Sequence, residues 1–71
     1  MNTYLVPIAD EDSAWIEKFS AKSLNDCKDK IVERYINELN WDEAPEEWEE
    51  FLKYAWERYY IFGTPQDIET F

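Results

Sequence analysis

The sequence predicts an α+β fold, a single two-layer domain of order β-β-α-α-β in which a small antiparallel sheet carries two helices on one face. Three observations predict it. Residues Thr3–Ala9 and Ala14–Ser20 alternate with a period of two, two later stretches repeat apolar residues at helical spacing, and a short β-forming run follows the second of these. With 71 residues there is room for one domain, 1-71, and a chain of this size buries only ~60% of the surface its unfolded form exposes. Density must therefore come from composition, and four Trp, five Tyr and four Phe supply it.

The first element is TYLVPIA, with Tyr4, Val6 and Ile8 on one face and Leu5 and Pro7 on the other. Pro7 cannot donate to a ladder, so the expectation is an edge strand or a proline whose missing N–H points outward. The turn-forming DEDS, Asp10 to Ser13, leads into AWIEKFS, where Trp15, Glu17 and Phe19 lie opposite Ile16 and Lys18. Together these read as a hairpin.

Ser23 opens the first helix, with Asp26 three residues on as a carboxylate variant of the capping box. Leu24, Cys27, Ile31, Val32, Tyr35 and Leu39 form its apolar stripe. Lys28 falls inside that stripe, and its long stem is expected to cross the sheet and lift the ammonium to an acidic rim. Pro45 suits the first turn of a second helix, in which Trp48, Phe51, Leu52, Ala55, Trp56 and Tyr59 keep the i, i+3, i+4, i+7 spacing. Residues from Tyr59 or Tyr60 to Phe62 read as a third strand, stopped by Gly63 and a Thr-Pro-Gln-Asp turn. The alternative is a second helix that continues to Phe62.

Charge bounds the function. Seventeen Asp and Glu face seven Lys and Arg, for a net charge of −10. Direct binding to nucleic acid or to anionic membranes is disfavoured, because no basic patch is present to release phosphate counterions. With one cysteine, no charged and apolar leader and no apolar run near the ~20 residues that span a bilayer, a cytoplasmic protein is expected.

Catalytic chemistry finds little support. There is no His, so the commonest general base and zinc ligand is missing. Cys27 lies on an apolar stripe and reads as an inert buried thiol. Ser13, Ser20 and Ser23 read as turn, strand end and cap, and one glycine cannot build a phosphate loop. Asp10, Glu11 and Asp12 offer a hard cation weak oxygen ligands but lack the glycine and closing glutamate of an EF-hand, which favours a solvated turn. The expectation is a non-enzymatic protein that needs no cofactor and no metal.

Acid concentrates between Asp42 and Glu50, a run without one positive charge. On a helical wheel Glu46, Glu50 and Glu57 point away from the apolar arc, with Glu47 and Glu49 flanking them. Acid in a first turn complements the macrodipole by a few tenths of a kcal/mol up to ~1 per carboxylate. Like charges at i, i+4, such as Glu46 and Glu50, cost ~0.2–0.5 kcal/mol, and only Lys53 relieves them on that face. Placement thus follows from amphipathicity, while the excess suggests a positively charged partner.

Carboxylates at i, i+4 stand about 6 Å apart, close to the spacing of successive phosphates. Asp42, Glu46, Glu49, Glu50 and Glu57 are accordingly the candidate partner-binding residues, in the manner of a DNA mimic on a nucleic-acid-binding surface. Trp41 joins them as an exposed hot-spot aromatic, or else folds back as a staple over the helix junction; Tyr54 and Tyr60 also lie off the stripes. The alternative function is a small assembly domain that homodimerises through exposed aromatics or a sheet edge.

The segments YLVPIAD, FSAKSLNDCKDKIVERY and IFGTPQDIE resemble those of small acidic proteins encoded by bacteriophages and integrated mobile elements. The resemblance spans most of the chain and rests on a strand-to-helix pattern without a catalytic motif. It implies a phage or prophage origin, location in the host cytoplasm, and the role of an inhibitor of host DNA-binding machinery. It assigns no individual residue a function.

Overall fold

β1, Asn2–Ala9, is the central strand of an antiparallel sheet in the computed structural model, which describes residues 1–68. It pairs along its whole length with β2, Ala14–Ala21, from Asn2↔Ala21 to Ala9↔Ala14. Its other side pairs with two short strands, β3 at Ile61–Phe62 and β4 at Gln66–Asp67. Between hairpin and β3 lie α1, Leu24–Leu39, and α2, Trp48–Trp56. This is the α+β order expected. β4 is an addition, on residues expected to turn. The helix does not continue to Phe62, because α2 ends at Trp56 and Phe62 pairs with Ile8.

Period two places Tyr4, Val6 and Ile8 of β1 with Phe19 and Ala21 of β2 on one buried face, joined by Phe62. The connecting turn is held by Asp10. Its amide donates to the Ser13 carbonyl at 2.9 Å, and its Oδ1 accepts from the amides of Asp12 and Ser13 at 2.9 and 2.8 Å. Such an Asx turn explains why DEDS reverses the chain.

Pro7 lies neither on an edge strand nor with its nitrogen turned to solvent. The Gly63 amide donates to the Pro7 carbonyl at 2.8 Å, so the missing N–H of Pro7 faces the same neighbour. The ladder breaks there. Ile8↔Phe62 and Ala9↔Ile61 share one register, while Tyr4↔Asp67 and Leu5↔Gln66 are slipped by one residue. β3 and β4 are therefore one edge strand interrupted by a bulge at the residue that cannot donate.

α1 begins as its cap predicts. Ser23 Oγ accepts from the Asp26 amide at 3.1 Å, and Asp26 Oδ2 accepts from the Lys22 amide at 2.9 Å. Cys27, Ile31, Val32 and Tyr35 are buried on the sheet, whereas Leu24, expected on the stripe, is 38% exposed in the first turn. Lys28 does not cross the sheet. Its Nζ sits 5.7 Å from the centroid of the Trp48 ring, a cation–π contact between the two helices. Asn40 ends α1 in the left-handed region, a residue type suited to that position.

α2 starts later than the proline suggested. Glu47 is the N-cap, accepting from the amides of Glu49 at 3.3 Å and Glu50 at 3.2 Å, so Pro45 and Glu46 precede the helix. Phe51 and Ala55 are fully buried, Leu52 and Trp48 are half-buried, and the last two residues of the expected stripe, Trp56 and Tyr59, are each 66% exposed. The core centres on Phe51, whose ring lies 5.4 Å from Phe62, 6.0 Å from Trp41 and 6.4 Å from Trp48. Tyr35 meets Phe62 edge-on at 5.0 Å. Both helices thus pack on the same sheet face and leave the other face uncovered.

Candidate functional site

The acidic segment is assembled from three pieces of backbone. Asp42 sits at the tip of a turn closed by the Ala44 amide on the Trp41 carbonyl at 2.9 Å. Glu46 lies before α2 and lines a hollow on the α1 side with Asp29, Glu33 and Asn37. Glu49 and Glu50 are in the first turn of α2, and Glu57 caps its end. The i, i+4 helical pair of Glu46 with Glu50 therefore does not exist: Glu47, as N-cap, takes an extended backbone and turns Glu46 out of the helix.

All these carboxylates are exposed. Glu50 approaches Lys53 at 3.8 Å and Glu57 approaches Arg58 at 3.9 Å, surface pairs of little energetic consequence. The side chains of Asp42, Glu43, Glu46 and Glu49 make no hydrogen bond or ion pair among the described residues. Trp41 takes the stapled position over the helix junction. It is half-buried and meets Tyr54 at 5.5 Å and Tyr60 at 5.4 Å, both edge-on, which accounts for the three aromatics left off the stripes.

A second surface was not foreseen. On the uncovered sheet face Pro7 lies across from Ile16, Ala9 pairs with both Ala14 and Ile61, and Gly63 packs against Pro7. These residues line one apolar hollow; a second, of about 290 Å³, is formed by Asp10, Glu11, Trp56, Tyr59 and Ile61. Ile61 belongs to both, so the apolar surface runs continuously from Ile16 to Trp56. Trp56 also shares a hollow with Glu49, Leu52, Lys53 and Glu57, which joins this surface to the acidic one.

Tyr59 is held there by a Schellman motif. The Tyr60 amide donates to the Ala55 carbonyl at 2.9 Å and the Tyr59 amide to the Trp56 carbonyl at 3.1 Å, with Tyr59 at φ 66°. Glycine is the usual occupant of that position, and a bulky residue there costs about 1–2 kcal/mol. The helical spacing that placed Trp56 and Tyr59 on the stripe stops at this turn. The sequence carries no signal of this turn, because no glycine or proline stands between Trp56 and Phe62.

A half-buried carboxylate ties the first helix to the sheet. Glu17, on the helix-facing side of β2, accepts from the Tyr35 hydroxyl at 2.9 Å and the Trp15 indole at 3.4 Å, and pairs with Arg34 at 3.0 Å. Burial, together with the bond to Glu17 and its negative charge, pushes the Tyr35 phenol well above its ordinary value. The cluster joins α1 to β2, and every member is occupied by another. Burial likewise raises the Cys27 thiol, with Asp26 adding to the effect. Among the described residues no group of three or more His, Cys, Asp and Glu is placed to hold a metal ion, and no helix is long and apolar enough to cross a membrane.

No family model matches the chain, and neither a curated protein nor a solved structure matches it.

Proposed function

We propose that this protein is a non-catalytic, acidic binding module that docks on a positively charged surface of another protein. The observation that carries the reading is the unneutralised acid of the helix junction: Asp42, Glu43, Glu46 and Glu49 are exposed and have no cation among the described residues, on a chain of net charge −10. Such self-repulsion lowers the stability of the compact state, and a cationic partner removes it. The same field speeds the encounter with that partner, in a manner that salt suppresses.

The partner class that presents such a surface most often is a nucleic-acid-binding protein, and the module acts as its inhibitor by occupying the site of the phosphates. With Glu46 off the helix, the mimicry rests on the acid concentrated along the turn and α2 and not on the spacing of one helical row. The test is capture of proteins from host lysate on the immobilised module at low and high salt, followed by challenge with duplex DNA. Partners should be retained at low salt, released by salt, displaced by DNA, and lost from a folded variant carrying Asp42→Asn, Glu46→Gln, Glu49→Gln, Glu50→Gln and Glu57→Gln. Equal capture by that variant overturns the reading.

A second reading, homodimer assembly, is favoured by one observation: among the described residues β2 pairs with β1 alone, so its outer edge offers backbone groups for pairing, apart from the Ser20 carbonyl, which accepts from Lys30 Nζ at 2.8 Å. Sedimentation at low and high salt separates the two, because edge pairing between two anionic chains strengthens as salt screens them.

A further inference from the structure

Resting on the acidic-module reading, we infer that the apolar strip of Ile16, Ile61, Tyr59 and Trp56 is the anchoring half of the binding face, and that it takes a polypeptide segment whose apolar side chains are flanked by Lys or Arg. Three independent observations converge on it. The first is exposure: Ile16, Trp56 and Tyr59 are each 66% exposed and Ile61 is 51% exposed, in one continuous surface that neither helix covers. Contiguous apolar surface on a small soluble protein marks an interaction site, and Trp and Tyr are the residues most often found to anchor one.

The second is the backbone at Tyr59. A non-glycine residue at φ 66° is disfavoured, and an exposed ring with no aromatic contact among the described residues recovers little of that loss in packing. The chain would fold at least as well with glycine there. A ring held at an unfavourable backbone position, on the wall of a hollow, is what binding accounts for and folding does not.

The third is charge, and it selects the occupant. Asp10 and Glu11 line the same hollow as Trp56, Tyr59 and Ile61; Glu49 and Glu57 line the next one along with Trp56 and Lys53; and Arg58 shares a further hollow with Asp10, Glu11, Asp12 and Tyr59, so that carboxylates outnumber cations in each. Glu11 has no hydrogen bond or ion pair among the described residues. An apolar anchor entering the strip brings its flanking residues against these carboxylates, so basic flanks are attracted and acidic flanks repelled. A second copy of the chain is the wrong occupant: it would bring an equally acidic surface to the strip, on partners that each carry −10.

The test is selection from a displayed random peptide library on the immobilised wild-type protein at low salt, then measurement of the selected peptides on Tyr59→Gly, on Trp56→Ala and on the five-site Asn and Gln variant, each checked for folding by circular dichroism and melting. Selected peptides should combine apolar side chains with Lys or Arg and shift the Trp56 indole resonance. They should bind Tyr59→Gly and Trp56→Ala roughly tenfold or more weakly, although Tyr59→Gly melts no lower than wild type. Basic peptides without apolar residues, whose affinity survives Tyr59→Gly and Trp56→Ala but falls in the five-site variant, overturn this inference and leave the acidic-module reading standing. Apolar peptides selected without Lys or Arg, and bound equally by the five-site variant and by the same variant with Asp10→Asn and Glu11→Gln added, overturn the charge complementarity and that reading with it. Failure to enrich any peptide, or a strip occupied only by self-association, overturns the inference as well.

Discussion

The Gly63 amide donates to the Pro7 carbonyl at 2.8 Å, and a Cβ added to Gly63 would lie 2.5 Å from Pro7 Cγ. The proline removes one rung of the ladder, and the glycine lets the strand close against the proline ring where the rung is missing. The two residues act together: one forces the bulge between β3 and β4, and the other lets it pack.

Gly63→Ala is therefore expected to destabilise the protein, by about 1–3 kcal/mol if the clash is taken up as overpacking. The proline ring can repucker but not withdraw, being part of the central strand. In a domain of this size 1 kcal/mol corresponds to roughly 4–8 °C in midpoint, so a thermal scan resolves the effect. An unchanged midpoint would show that the edge strand is free to drift away from Pro7.

Tyr35 and Glu17 set the response to alkali. The folded phenol ionises at a higher pH than the unfolded one, because burial, the bond to Glu17 and the charge of Glu17 all favour the neutral form. The stability it contributes is complete below the ordinary tyrosine value of 10.0 and declines as pH rises above it, since the unfolded chain then releases a proton that the folded chain retains. Tyr35→Phe removes the donor while Glu17 keeps Arg34 and Trp15, at an expected cost near neutrality of about 1.5–3 kcal/mol. The variant should also lose part of the alkaline decline, measured as unfolding midpoint against pH. Parallel profiles for the two proteins would remove Tyr35 from the explanation.

Cys27 is fully buried between Asp26 and the sheet-facing stripe of α1, with its thiol pushed up by that burial. The native protein should resist a thiol reagent and react once denaturant opens it. Cys27→Ser places a hydroxyl in the core and should destabilise by about 1–3 kcal/mol, more than Cys27→Ala if no carbonyl can accept from it. Rapid labelling of the native protein contradicts this placement.

The legible parts of the fold were those set by local chemistry. Tyr4, Val6 and Ile8 alternate because one face of β1 is buried, and Ser23 with Asp26 caps α1 through bonds spanning at most four residues. The illegible parts depend on distant partners or on residues used against type. Glu47 caps α2 although glutamate is not a favoured N-cap, and this moved Glu46 off the helix on which the phosphate row was drawn. Tyr59 occupies a position that usually signals itself with glycine, so the helical spacing read from sequence runs one turn too far. β4 is two residues long and exists only because Tyr4 and Leu5 lie beside it. The candidate acidic residues were found by composition, while the apolar strip beside them depends on which sheet face the helices leave open.

The carboxylates before, within and after α2 give the last prediction. If Glu46, Glu50 and Glu57 serve only as a solvated surface, replacing all three with Gln leaves every binding property unchanged. Stability should shift by no more than a few tenths of a kcal/mol, because Glu50 and Glu57 lose only the exposed pairs with Lys53 and Arg58 and Glu46 loses none. If they form part of a docking face, the same variant folds, by circular dichroism and melting, yet associates more slowly with its partner and with a flatter dependence on salt. The expected outcome is the second. Glu57 should contribute most and Glu46 least, because Glu57 shares the hollow of Trp56 whereas Glu46 faces α1. Single variants measured by stopped-flow association at low salt give that order directly. A folded triple variant that associates at the wild-type rate at low salt would remove these three carboxylates from the recognition and sink the phosphate-mimicry reading drawn on them.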